Sequence, residues 1–174
     1  MAAVQNGADH AFRHLDHDGD GYVDAAGFDQ MARTIATPLG IAETAAKAVR
    51  LREGYRSTFE MVRDATGAAR VGPAEFTTAM VALAAGPPAA RLRGVCAAEF
   101  AAADHDDDGT ITRAEFTRLL TALGQPATAT DAAFTALDRD HDDRITRAEY
   151  VAAWEDYLLS DTPDTACALA FTGL

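Results

Sequence analysis

Carboxylates alternate through two twelve-residue stretches of this chain. The first is Asp104-His105-Asp106-Asp107-Asp108-Gly109-Thr110-Ile111-Thr112-Arg113-Ala114-Glu115, and the second is Asp138-Arg139-Asp140-His141-Asp142-Asp143-Arg144-Ile145-Thr146-Arg147-Ala148-Glu149. In both, aspartates hold positions 1, 3 and 5, the backbone carbonyl of Thr110 or Arg144 is available at position 7, a threonine at position 9 can hold a water, and a glutamate closes at position 12. That is the donor set of a hard cation with a flexible shell. Calcium takes about six to eight oxygens, and a closing glutamate can supply two of them. A solvated acidic run would explain the charge, but not the order of alternate acids, position-8 isoleucine and final glutamate.

Two further stretches repeat the pattern imperfectly. Asp16-His17-Asp18-Gly19-Asp20-Gly21-Tyr22-Val23-Asp24-Ala25-Ala26-Gly27 offers Asp16, Asp18, Asp20, the Tyr22 carbonyl and Asp24, but Gly27 stands where the bidentate glutamate belongs. The expectation is a weakened third site, filled at high calcium, whose affinity Gly27→Glu would raise. The fourth stretch ends well, with Val71, Glu75 and Phe76, but Ala68 and Ala69 replace the middle acid and the turn glycine and Pro73 follows. Its approach stripe, Tyr55, Phe59 and Val62, asks for a loop start at Arg63, whereas Glu75 counts back to Asp64. An empty loop that pairs structurally with the first is expected. In the last loop Asp143 replaces the glycine of position 6; aspartate tolerates left-handed backbone, so only modest weakening is expected, with the Arg144 side chain free to point outward.

Helices must deliver these loops. Ala8, Ala11, Phe12 and Leu15 form an apolar stripe running into Asp16; Cys96, Phe100 and Ala103 lead to Asp104, and Phe134 and Leu137 to Asp138. Pro38 and Gly40 break the chain before a helical run expected from Ile41 to Arg56. An aromatic follows each loop (Phe28, Phe76, Phe116, Tyr150), and five residues earlier stands a β-branched residue (Val23, Val71, Ile111, Ile145) suited to a short two-stranded pairing between loops. The unit is the EF-hand, a helix, a calcium loop and a helix, repeated four times and coupled in pairs. Gly86-Pro87-Pro88 divides the pairs. The expected fold is all-α: an N-terminal pair over 1–85, a linker over 86–91, a C-terminal pair over 92–159 and an apolar tail over 160–174, whose Leu169, Phe171 and Leu174 bury against the helices.

Composition narrows the partners. Of 174 residues 48% are hydrophobic and 24% charged, ordinary for a folded domain. The formal net charge is −12, and about half of the 27 acidic residues lie in the three acidic loops. Three calcium ions would offset half of that charge. Such a surface repels nucleic acid and anionic lipid, while a basic or amphipathic protein helix remains an acceptable partner. No stretch has the length and apolarity of a signal peptide or membrane span, so a cytoplasmic monomer is expected. Cys96 and Cys167 lack metal-ligand spacing and read as reduced thiols. His10 and His14 share a helix face without a third zinc ligand, neither Ser57 nor Ser160 stands in a nucleophile context, and Cys96 lies on a core stripe; no enzyme is expected.

Three acidic loops, a defunct second loop, a wide gap between loops one and two, and a hydrophobic C-terminal extension together make nearly the whole chain resemble the four-EF-hand sarcoplasmic calcium-binding proteins, notably their bacterial calerythrin-like relatives. Gly27 departs from that family's usual glutamate. The resemblance implies a compact, mainly helical protein with its two EF-hand pairs packed together, acting as a calcium buffer or signal modulator. The alternative is a sensor that exposes an apolar groove to a target. Magnesium competition at the same loops is expected in either case.

Overall fold

Eight helices are described in the computed structural model, which covers residues 2–84, 86, 89–125 and 127–159. In the N-terminal half α1 (Ala2–Leu15) and α2 (Ala25–Ala36) flank the first loop, and α3 (Ala46–Thr66) and α4 (Pro73–Ala84) the second. The C-terminal half repeats this with α5 (Ala89–Ala103), β1 (Thr110–Thr112) and α6 (Arg113–Ala122), then α7 (Ala127–Leu137), β2 (Arg144–Thr146) and α8 (Arg147–Leu159). The fold is therefore all-α, two EF-hand pairs in one globule. Expectations for the tail over 160–174 and for Pro87 and Pro88 lie outside the described residues.

The loops pair as their β-branched residues require. β1 and β2 are antiparallel with Ile111 opposite Ile145, and a single bridge joins Val23 to Val71 through two 2.9 Å hydrogen bonds. All four side chains are fully buried, so each pairing also pins its loops to the core. The aromatics that follow the loops pack in the same places: Phe28 against Phe59, Phe12 edge-on to Phe76, Phe116 to Phe134, and Phe100 to Tyr150.

Two boundaries differ from the sequence reading. The third helix begins at Ala46, not Ile41, and runs unbroken past Arg56 to Thr66, ending on Gly67 in the left-handed region at φ 71°. It consumes Arg63 and Asp64, the two competing loop starts, because Tyr55, Phe59 and Val62 continue one buried stripe and nothing in the segment asks the helix to stop before the glycine. α5 begins at Ala89, so residues 89–91 are helical where a linker was expected; proline just ahead of a helix is compatible with this, since first-turn amides have no intrahelical partner.

The two halves share one core. α3 packs on α5, and α1 and α5 both pack on α8. At Gly54 the approach to α5 is close enough that an added Cβ would lie 3.1 Å from Val95 Cα. Lys47, at the start of α3, donates to the Asp104 carbonyl and forms an ion pair with Asp107 at 2.8 Å, so the N-terminal half reaches the third loop directly.

Candidate metal centre

Among the described residues three sets of carboxylates bring ligand oxygens within 4.8 Å of one another: Asp16, Asp18 and Asp20; Asp104, Asp106 and Asp108; and Asp138, Asp140 and Glu149. They belong to the three acidic loops. The second loop gathers no such set, in keeping with the helix that has absorbed its start.

Local hydrogen bonds create each cage. The first aspartate of every loop reaches across and accepts the amide at position 6: Gly21 to Asp16 at 3.1 Å, Gly109 to Asp104 at 3.0 Å, Asp143 to Asp138 at 3.1 Å. Position 5 accepts the amide of position 7 in the same way, from Tyr22, Thr110 and Arg144. To close so tightly the backbone turns left-handed at positions 4 and 6, with Asp107, His141 and Asp143 at φ 59°, 60° and 62° and glycines doing so in loop one. Asp143 thus adopts the conformation anticipated for it.

The closing glutamates are poised differently from the aspartates. Glu115 Oε1 accepts the His105 amide at 2.9 Å while Oε2 accepts the Thr112 amide and hydroxyl at 2.8 and 2.7 Å. Glu149 repeats this with Arg139 and Thr146. Burial works against ionisation at both, but the Thr112 and Thr146 donors and the loop amides outweigh it and hold both carboxyls below the ordinary glutamate range. Thr112 and Glu115 also form a capping box on α6, so the helix start and the loop's end are one structure.

Loop one fits a cation in one respect and departs in two. Asp16 Oδ1 is buried with no hydrogen-bond partner, an orphan acceptor that a metal ion would satisfy. Asp24, expected among the ligands, instead directs Oδ1 to the amides of Ala26 and Gly27 at 2.8 and 3.2 Å, capping α2. Gly27 corrects the sequence reading more sharply. A Cβ there would lie 2.1 Å from the Leu15 carbonyl oxygen, so the position is not merely missing its glutamate: α1 and α2 have closed over the space in which that side chain would start.

Arg144 is the other correction. Its side chain does not point outward; it returns across the β-pairing to Asp108 Oδ2 and the Thr110 hydroxyl, both at 2.8 Å. Sequence reading missed this contact, although the same arrangement in the other half, Arg70 to Asp20, stands at the same loop position.

The oxygen-only donor sets suit calcium or magnesium, and Tyr22, Thr110 and Arg144 stand at position 7 of their loops. Comparison with known proteins agrees with this chemistry. The EF-hand domain pair matches residues 95–155, and a second EF-hand domain pair family matches residues 4–34, between them more than half of the chain. No curated protein sequence matches significantly. A Streptomyces coelicolor calcium-binding protein, described as a basis for prokaryotic calcium-mediated regulation, is similar at 28% identity over 89% of this chain and 97% of its own, with a TM-score of 0.74. Calcium-loaded apo-aequorin from Aequorea victoria shares the fold at 17% identity, 94% of each chain and a TM-score of 0.80. Magnesium-loaded apo-berovin, a ctenophore photoprotein, does so at 18% identity over 88% of this chain and 87% of its own, with a TM-score of 0.71.

Proposed function

From the premise that the chain belongs to the EF-hand family and binds calcium through its loops, we propose that it works as a calcium buffer or signal modulator holding three ions, in loops one, three and four. The observation that supports this reading is how little large apolar surface the described residues expose. Tyr22 is the one large hydrophobic residue exposed among those described, at 47%, and it lies beneath the Arg70 guanidinium rather than in a groove. A sensor of the groove-exposing kind opens apolar surface to a target helix when calcium binds, and the response of that surface to calcium is what separates the two readings.

The ligand assignment supported by the geometry is Asp104, Asp106, Asp108, the Thr110 carbonyl and Glu115 in loop three, and Asp138, Asp140, Asp142, the Arg144 carbonyl and Glu149 in loop four. In loop one Asp16, Asp18, Asp20 and the Tyr22 carbonyl serve, with Asp24 limited to its free oxygen. The metal supplies charge neutralisation across these carboxylates, and the protein supplies a preformed cage. Magnesium binding by all three loops of berovin supports competition by magnesium here as well. We read the chain as a non-enzymatic cytoplasmic monomer; no helix among the described residues is long and apolar enough to cross a membrane.

The regulatory role of the Streptomyces protein favours a second reading, in which the chain modulates a protein target through a basic or amphipathic helix. Calorimetric titration with calcium, with and without magnesium, tests the first reading and should give three ions. A hydrophobic dye separates the two: little binding with or without calcium is expected, and a strong calcium-dependent rise would establish the sensor.

A further inference from the structure

Asp20 and Asp108 are the position-5 acids of the first loop in each pair, and both are treated alike. Each directs Oδ1 to the position-7 amide of its own loop, Tyr22 at 3.0 Å and Thr110 at 2.8 Å, with the Thr110 hydroxyl adding a bond of 2.7 Å. Each gives Oδ2 to an arginine from the other loop of its pair, Arg70 or Arg144. Counted back from the glutamates that end those loops, Glu75 and Glu149, both arginines stand at position 7. They immediately precede Val71 and Ile145, the residues that form the pairing with Val23 and Ile111, so the pairing itself places each guanidinium beside its neighbour's cage. Arg70 is held further by stacking 4.6 Å from the Tyr22 ring centroid, and Arg144 by the Thr110 hydroxyl.

We propose that Arg70 and Arg144 are affinity-setting residues: resident cations, supplied by the second loop of each pair, that weaken calcium binding in the first loop through the position-5 carboxylate. The proposal rests on the calcium reading above. Its sign follows from two effects that agree. A fixed positive charge at the mouth of the cage repels a divalent ion, and the guanidinium occupies an acceptor oxygen that the ion must share or displace. Orientation does not reverse the sign, because the amide and hydroxyl of Thr110 still hold Asp108 when the arginine is gone. For Arg144 the coupling also has a route to the next site, since its own carbonyl is a position-7 donor of loop four.

The test is a calcium titration followed by NMR, reading loops one, three and four separately through the amides of Gly21, Gly109 and Asp143, each bonded to the first aspartate of its own loop. Arg144→Gln keeps the carbonyl and removes the charge. It should tighten binding at the Gly109-reported loop by about three- to tenfold at low ionic strength, with the gain shrinking in high salt. Arg144→Lys keeps the charge and should stay near the parent value. Arg70→Gln should act on Gly21 and leave Gly109 unmoved. Arg56→Gln, which removes equal charge from a residue paired with Glu60 on its own helix, should change neither. Unchanged or weaker binding at Gly109 in Arg144→Gln, or an equal gain in Arg56→Gln, overturns the proposal. A parent chain whose Gly109 amide ignores calcium would overturn the calcium reading itself, and the proposal with it.

Discussion

At the scale of single residues the closing glutamates are the most exacting test of the cages. Glu115 and Glu149 are already ionised and oriented by three donors each, so replacing the charge removes a prepared ligand instead of a mobile one. Loss of an outer partner alone commonly costs about 10–100-fold in metal affinity. Glu115→Gln and Glu149→Gln should therefore each weaken one site by more than about 100-fold, or abolish it, lowering the calorimetric stoichiometry by one. Glu75 spends Oε2 on the Gly72 amide at 3.2 Å, ahead of α4, and closes no cage. Glu75→Gln should leave the calcium isotherm unchanged. Full stoichiometry in the first two variants would refute the ligand assignment.

Between elements, the contact of α1 with α2 decides what loop one can become. The Leu15 carbonyl presses on Gly27 from the last turn of α1, at a distance no Cβ tolerates, and backbone cannot yield as a flexible side chain does. Gly27→Ala should destabilise the metal-free protein by about 1–3 kcal/mol, measured by urea unfolding. Gly27→Glu should fail to raise the affinity of loop one, because the helices must part before the new carboxylate can enter. A tighter first site in that variant, without loss of stability, would show that the helices separate at little cost.

Across the whole molecule, one buried carboxyl ties the halves together. Glu99 on α5, 2% exposed, accepts hydrogen bonds from Tyr55 on α3 at 2.6 Å and from Tyr150 on α8 at 3.4 Å. Burial pushes its carboxyl up to about 7, against the smaller opposing pull of the two hydroxyls. The unfolded chain releases that proton near the ordinary value of about 4.5, so the folded state binds more protons between the two. The associated stability is complete below about 4.5 and is lost as pH rises through about 7. Glu99→Gln keeps an acceptor for both tyrosines and removes the titration. The variant should gain on the parent by up to about 3 kcal/mol between pH 5 and pH 8 in metal-free urea unfolding. Parallel pH profiles would place the proton elsewhere.

Chemistry that lies in consecutive residues could be read before any contact between helices was known. Twelve positions in a row carry the donors of a cage, so the acidic clusters of the Asp104 and Asp138 loops and the turn at Asp143 were legible, as was the pairing of Val23 with Val71 and Ile111 with Ile145. The all-α fold followed, because the stripes ending in Leu15, Ala103 and Leu137 have one period. Features that depend on residues far apart in the chain emerged only from the packing of the elements. Arg144 meets Asp108 across 36 positions and Arg70 meets Asp20 across 50, and Glu99 joins Tyr55 and Tyr150 from different helices. Even Gly27, read as an absent ligand, took its meaning from the Leu15 carbonyl on the preceding helix. Ligand patterns are local because an ion is small; the charge around a cage and the space within it are set by whichever elements pack beside it.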